Sequence, residues 1–158
     1  MNTTKKLFIP LLACCLALLS SCDYISYYEF KVHNQAQDTV SIEMTLTYQY
    51  GYEKNGEVLI DDDYTRRPKY DRDTLVLLAP GDEFLATISL FNQYLSTSFE
   101  EDGVTPFWCY IKSITVGEKS LEPEAWNHES AWKKKHDGHG IYFGETLQFD
   151  LYLDDSIY

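Results

Sequence analysis

The chain reads as an all-β protein, an antiparallel sandwich of seven or eight strands. Three observations point there. From Val40 to Tyr50, apolar residues (Val40, Ile42, Met44, Leu46, Tyr48, Tyr50) alternate with polar ones (Ser41, Glu43, Thr45, Thr47, Gln49). That period of two marks a strand with one face on a core and the other in water. Ile141, Phe143, Leu147, Phe149, Leu151 and Leu153 share one parity near the other end of the chain, with Gln148, Asp150 and Asp154 on the opposite parity. Between these stretches, turn signals such as Asn55-Gly56 and Pro80-Gly81 recur without a repeating helix to separate parallel strands.

The first residues are read apart from the fold. Met1 to Lys6 carries Lys5 and Lys6, and Leu7 to Leu19 is an apolar run too short for a membrane span, which needs about 20 residues. A positive start, a short apolar run and the small residues Ser20 and Ser21 compose a secretory leader. Leu19-Ser20-Ser21-Cys22 then resembles the lipobox of bacterial lipoproteins. The resemblance implies cleavage before Cys22, a diacylglycerol on its thiol, and firm membrane attachment once two or three acyl chains are present. Residues 1–21 are thus expected to be a signal peptide, 22–26 the lipidated cysteine and a short tether, and 27–158 the sandwich domain. The four residues Asp23 to Ser26, fully extended, reach roughly 14 Å, so the domain is expected close to the bilayer. Asp23 resembles an inner-membrane retention signal of enteric bacteria and also the acidic surface-export signal of gut anaerobes. A cell-envelope location is expected, the outer membrane before the inner.

Loss of residues 1–21 removes two lysines and no acid, moves the formal charge from −12 to −14 and leaves 137 residues, enough for one domain with a core. So negative a chain repels nucleic-acid phosphates, which excludes that class of partner. Cys14 and Cys15 leave with the leader, so with Cys22 acylated only Cys109 remains and no intrachain disulfide is possible. Cys109 lies in the apolar run Phe107–Ile111 and is expected to be a buried small hydrophobe.

Along the domain, Tyr28, Phe30 and Val32 alternate with Glu29, Lys31 and His33 as a first strand, closed by the polar Asn34–Asp38. Gly51 is expected to end the long second strand, and Val58–Ile60 is a short one. Asp61-Asp62-Asp63 lacks the alternation and glycine of a calcium loop and reads as a solvated loop. Thr74–Ala79 and Phe84–Leu90 flank the Pro80-Gly81 turn. Phe107–Val116 is a strand buried partly on both faces, followed by a turn at Gly117 and a short return near Ser120-Leu121. Pro123–Lys135 is either a short helix or an irregular loop: Pro123 suits a first helical position, and acids precede the lysines as a helix dipole favours, but the apolar stripe is poor.

The residues that could carry chemistry are few. His128, His136 and His139, with Asp137 beside them, are metal-ligand types, but Gly138 and Gly140 loosen the stretch and solvated histidines are the better reading. Trp126 and Trp132 in a polar stretch are candidates for a sugar-stacking platform, set against the plainer reading that aromatics fill the core. No Ser-His-Asp, glycine-rich phosphate loop or paired-carboxylate signature stands out. A non-enzymatic protein without cofactor is therefore expected.

Two segments, Phe30-Lys31-Val32-His33-Asn34 and Leu78-Ala79-Pro80-Gly81-Asp82, together with the lipobox, resemble small lipoproteins of gut anaerobes. The resemblance implies an immunoglobulin-like sandwich in the cell envelope, with no activity attached. Function is accordingly read as a membrane-anchored interaction or structural module with a protein or glycan partner. The alternatives are an acidic inhibitor of a cationic envelope-attacking enzyme such as lysozyme, and a glycan-binding module.

Overall fold

The computed structural model describes residues 24–60, 71–91, 93–96, 98–138 and 144–156. Among them run ten strands: β1 Ile25–Asn34, β2 Val40–Leu46, β3 Gly51–Lys54, β4 Glu57–Ile60, β5 Arg72–Leu78, β6 Glu83–Phe91, β7 Ile111–Val116, β8 Lys119–Ser120, β9 Lys133–Gly138 and β10 Glu145–Leu153. They form a six-stranded sheet in the order β4-β3-β6-β1-β10-β9 and a four-stranded sheet in the order β5-β2-β7-β8. The expected all-β sandwich is what the chain builds. Every pairing is antiparallel except that of β1 with β10, the first and last strands, which lie parallel with Phe30 opposite Phe149.

β1 is the axis of the larger sheet, held by β6 on one side and β10 on the other. Its period-two sequence sends Tyr28, Phe30 and Val32 into the core and leaves the other parity half-buried on the outer face. There Lys31 approaches Glu29 at 3.9 Å, while His33 meets Asp150 at 2.8 Å and stacks on Tyr152. Phe30 sits at the centre of the core: stacked on Phe149 with ring centroids 5.2 Å apart, edge-on to Trp108 at 5.5 Å, to Tyr50 at 5.9 Å and to Trp132 at 6.0 Å. Such edge and offset contacts add to the gain from burial.

The larger strand count has two sources. The long alternating stretch is not one strand: β2 stops at Leu46, and β3 belongs to the other sheet. Thr47 is buried and Tyr48 exposed, so the alternation breaks at the crossing before Tyr50 and Tyr52 are buried again. The Thr47 hydroxyl accepts the Gln49 N–H at 3.0 Å, and the Thr47 N–H donates to the Tyr52 hydroxyl at 2.9 Å. A side chain that offers a backbone group a local partner competes with the ladder, and here it turns the strand. Gly51, expected to end a strand, begins one.

The second source is residues 123–135, which form no α-helix. Pro123–Ala125 and Glu129–Ala131 are single 3-10 turns, and Lys133 opens β9. Trp126 and Trp132 are both buried but six residues apart, and an α-helix would set them about 120° from each other, so it could not bury both against one core. The lysine run becomes a sheet edge, where charge discourages pairing with a further strand.

Phe107–Tyr110 is likewise a 3-10 turn, with β7 beginning at Ile111. The turn lets the adjacent Phe107 and Trp108 both enter the core and directs Cys109 outward, so the thiol is exposed rather than buried as expected. β1 begins at Ile25, inside the stretch expected to be tether. The triple aspartate lies outside the described residues, as do Ile141 and Phe143.

The two segments that carry the resemblance meet in space. The Pro80-Gly81 turn joins β5 in one sheet to β6 in the other, with Gly81 at φ +87° as the second corner of a type II turn requires. Gly81 N–H donates to the Asn34 carbonyl at 2.8 Å, and the buried Asn34 amide donates to the Leu78 and Asp38 carbonyls, each at 2.9 Å.

Candidate functional site

Lys134 and His136 stand opposite Phe149 and Leu147 in the β9–β10 register, so they share the inward face of the larger sheet. Yet all of β9 is exposed, because the sandwich is open at this edge. The Lys134 ammonium lies 5.5 Å from the centroid of the Phe149 ring and 3.3 Å from Glu129. His136 Nε2 is 3.6 Å from the Glu145 carboxylate. With Leu95, Ser96 and Leu147, these residues line a cleft of about 410 Å³. Its walls offer an apolar floor, one ammonium, one imidazole and one carboxylate, the equipment to orient a small polar ligand. The Ser96 hydroxyl donates to the Ser98 carbonyl at 2.6 Å.

The loop that supplies Ser96 is fastened from within. Asp102 accepts the Tyr28 hydroxyl at 2.5 Å, the Ser96 N–H at 3.0 Å and the Gln93 amide at 3.0 Å. Burial alone would raise the Asp102 carboxyl, but the hydrogen bonds from Tyr28, Ser96 and Gln93 outweigh it and hold the pKa below its usual value. Burial and the neighbouring carboxylate push the Tyr28 phenol well above its usual value. Phe99, from the same loop, packs on Phe30 and Phe149. Spacing gave no warning of this clasp, since Tyr28 and Asp102 are 74 residues apart.

Exposed apolar residues gather in two further places. Val58 and Leu59 of β4 and Leu75 and Leu77 of β5 stand out at neighbouring sheet edges, and Leu59, Leu75 and Leu77 border a groove of about 450 Å³ with Lys54 and Arg72. At the start of β1, Tyr24 stacks on Tyr94 with centroids 4.4 Å apart, and Ile25 pairs with Phe91. Phe91 is 60% and Tyr94 61% exposed.

The residues singled out from the sequence fare differently. Trp126 and Trp132 are 3% and 4% exposed, so neither ring is open to stack on a sugar. Trp132 packs on Phe30 and Trp108 and donates its indole N–H to the Trp126 carbonyl at 2.8 Å. Among the described residues the buried Trp126 indole N–H meets no acceptor. The plainer of the two readings, aromatics filling the core, is the one the burial supports. His128 caps the 3-10 turn Glu129–Ala131, its Nδ1 accepting the Ala131 N–H at 3.1 Å, whereas His136 lies in the cleft. His139 and Cys22 lie outside the described residues. Among the described residues no three His, Cys, Asp or Glu come together as metal ligands. Desolvation raises the Cys109 thiol above its ordinary value, away from the thiolate a nucleophile needs.

Among the described residues no helix is long and apolar enough to cross a membrane. Compared with known protein families, curated proteins and solved structures, the chain matches none.

Proposed function

We propose that the protein is a lipid-anchored, non-enzymatic module of a bacterial cell envelope, held by acyl chains on Cys22 and presenting a sandwich to a protein or glycan partner. The observation that carries this reading is Leu19-Ser20-Ser21-Cys22 standing two residues before Tyr24, where the described domain opens into β1. A leader, an acylation site and a central strand that starts at once leave no room for a stalk. The outer membrane is the favoured location. The cleft of Leu95, Ser96, Lys134, His136, Glu145 and Leu147 is the best candidate for a small polar ligand such as a sugar. The non-enzymatic part of the reading rests on the sequence, in which no Ser-His-Asp, glycine-rich phosphate loop or paired-carboxylate signature stands out.

Incorporation of labelled palmitate into the chain produced in a bacterial host tests the anchor. Label should appear in the wild type and be absent from Cys22→Ser, and the mature N-terminus should be residue 22. Unlabelled wild-type protein sinks the reading. For the cleft, a glycan array should lose any hit on Lys134→Ala.

The formal charge of −14 after processing favours a second reading, an acidic inhibitor of a cationic enzyme that attacks the envelope. Titration against lysozyme decides it: saturable binding that weakens with salt supports inhibition, and its absence at low salt removes the idea.

A further inference from the structure

We infer that the aromatic end of the sandwich, formed by Tyr24, Ile25, Phe91 and Tyr94, lies in the headgroup layer of the bilayer that holds Cys22. The inference rests on the lipid-anchor reading and adds an orientation to it. Only Asp23 separates Cys22 from Tyr24, so their Cα atoms are at most about 7 Å apart, whatever path the chain takes. A thiol that carries a diacylglyceryl group through a thioether sits at the level of the lipid glycerols. The start of β1 is therefore drawn to the membrane surface, and the residues beside it arrive with it.

Those residues have the chemistry that layer selects. Tyrosine presents an apolar ring and a polar hydroxyl, the combination enriched where hydrocarbon gives way to water. Tyr94 is largely exposed and braced by its stack on Tyr24. Phe91 is equally exposed and is the Cα partner of Ile25 in the β1–β6 ladder. Scattered exposed apolar residues are ordinary on a protein surface. A ring pair and a phenylalanine around the one strand end that leads to an acyl chain are not scattered. Charge does not supply the contact, since a chain this acidic is repelled by anionic lipid. Seating by rings predicts instead that the contact survives high salt and prefers zwitterionic lipid.

The test uses the processed, lipid-bearing protein reconstituted in phosphatidylcholine vesicles, with Tyr94→Trp as a reporter. Trp108, Trp126 and Trp132 are all buried in the core, which makes them a steady background. Mass spectrometry of the same sample reads the lipid on Cys22 separately. The expected result is reporter emission shifted to shorter wavelength. Most of it should be lost with phosphatidylcholine brominated near the glycerol end of its chains, equally at low and high salt. Adding Phe91→Asp should restore the emission. If Cys22 carries lipid while the reporter stays unquenched, the inference is overturned and the anchor stands. A shift without quenching means that a second copy of the chain covers this end, which also overturns it. Bare Cys22 with no quenching removes anchor and orientation together.

Discussion

At the Asn34 end of β1 the contacts are polar and paired; at the Ile25 end they are rings. Asn34 alone serves the carbonyls of Asp38 and Leu78 and the N–H of Ala36, while its own carbonyl takes the Gly81 N–H. Next to it, Asp82 collects the Ala79 N–H, the Asn55 amide and the Lys54 ammonium, and these hold its carboxyl below the ordinary range. At the other end Tyr24 and Tyr94 stack, and Phe91 and Tyr94 face outward. The contrast shows where the fold spends its hydrogen bonds. The Asn34 end must fix how the two sheets meet, because the β5–β6 turn crosses between them there. Toward the Ile25 end the chain also changes sheet, between β2 and β3 at Thr47, yet Phe91 and Tyr94 stay exposed there.

The sharpest break of this contrast is Asn34→Ala. It removes the side-chain partner of the buried Leu78 carbonyl, the part-buried Asp38 carbonyl and the buried Ala36 N–H, and unmet buried groups cost about 1–3 kcal/mol each before relaxation. We expect a loss of about 3 kcal/mol, read from the urea midpoint at unchanged slope. Gly144→Ala comes next and shows that the Ile25 end has one tight place. A Cβ there would fall 1.7 Å from the Ile25 carbonyl oxygen, so β1 or the start of β10 must move. Overpacking of this kind costs about 1–3 kcal/mol, and thermal unfolding should show it.

Tyr28→Phe, which unfastens the Asp102 loop, should cost about 1.5–3 kcal/mol at neutral pH, as a hydrogen bond to a charged group does. Its pH dependence follows from the lowered Asp102 carboxyl. The ionised group stabilises the fold above its ordinary value of 3.8, and that contribution disappears as pH falls through the lower folded value. Acid titration of stability should therefore converge for wild type and Asp102→Asn below that range and diverge above it. The smallest effect is reserved for the aromatic end: Phe91→Ser with Tyr94→Ser should change stability in solution by no more than about 0.5 kcal/mol, the range for exposed sites. A larger loss would mean that these rings serve the fold and are not a free surface.

Much of the fold was legible. The alternations that predicted strands at Tyr28–Val32, Thr74–Ala79, Phe84–Leu90 and Leu147–Leu153 each coincide with an observed strand, and Pro80-Gly81 turns as its residues require. The misreadings share one cause. Val40 to Tyr50 alternates without a flaw in residue type, yet the chain leaves one sheet for the other at Thr47, and no local pattern marks which sheet a strand joins. In β5, Leu75 and Leu77 look as suited to a core as Val76 and Leu78, but only the latter pair is buried. Cys109 was misjudged because the character of neighbouring residues says little about what lies across the core, whereas the burial of Trp126 and Trp132 is the plainer of the two readings, aromatics filling the core. Of the candidate cleft, the sequence suggested His136 but neither Lys134 nor Glu145 as its companion, since β9 was not read as a strand.

By itself, the sequence determined the class of fold and the acidity of the chain, and it holds the lipobox-like stretch on which the proposed anchor rests. These depend on composition and on short-range periodicity, which survive without knowledge of the neighbours. The tertiary structure decided which strands share a sheet, that the first and last strands lie parallel, which of two equally apolar faces is hidden, and that the exposed rings surround the start of β1. Those outcomes depend on contacts between residues far apart in the chain. A period of two says that a strand has two faces and leaves open what covers each.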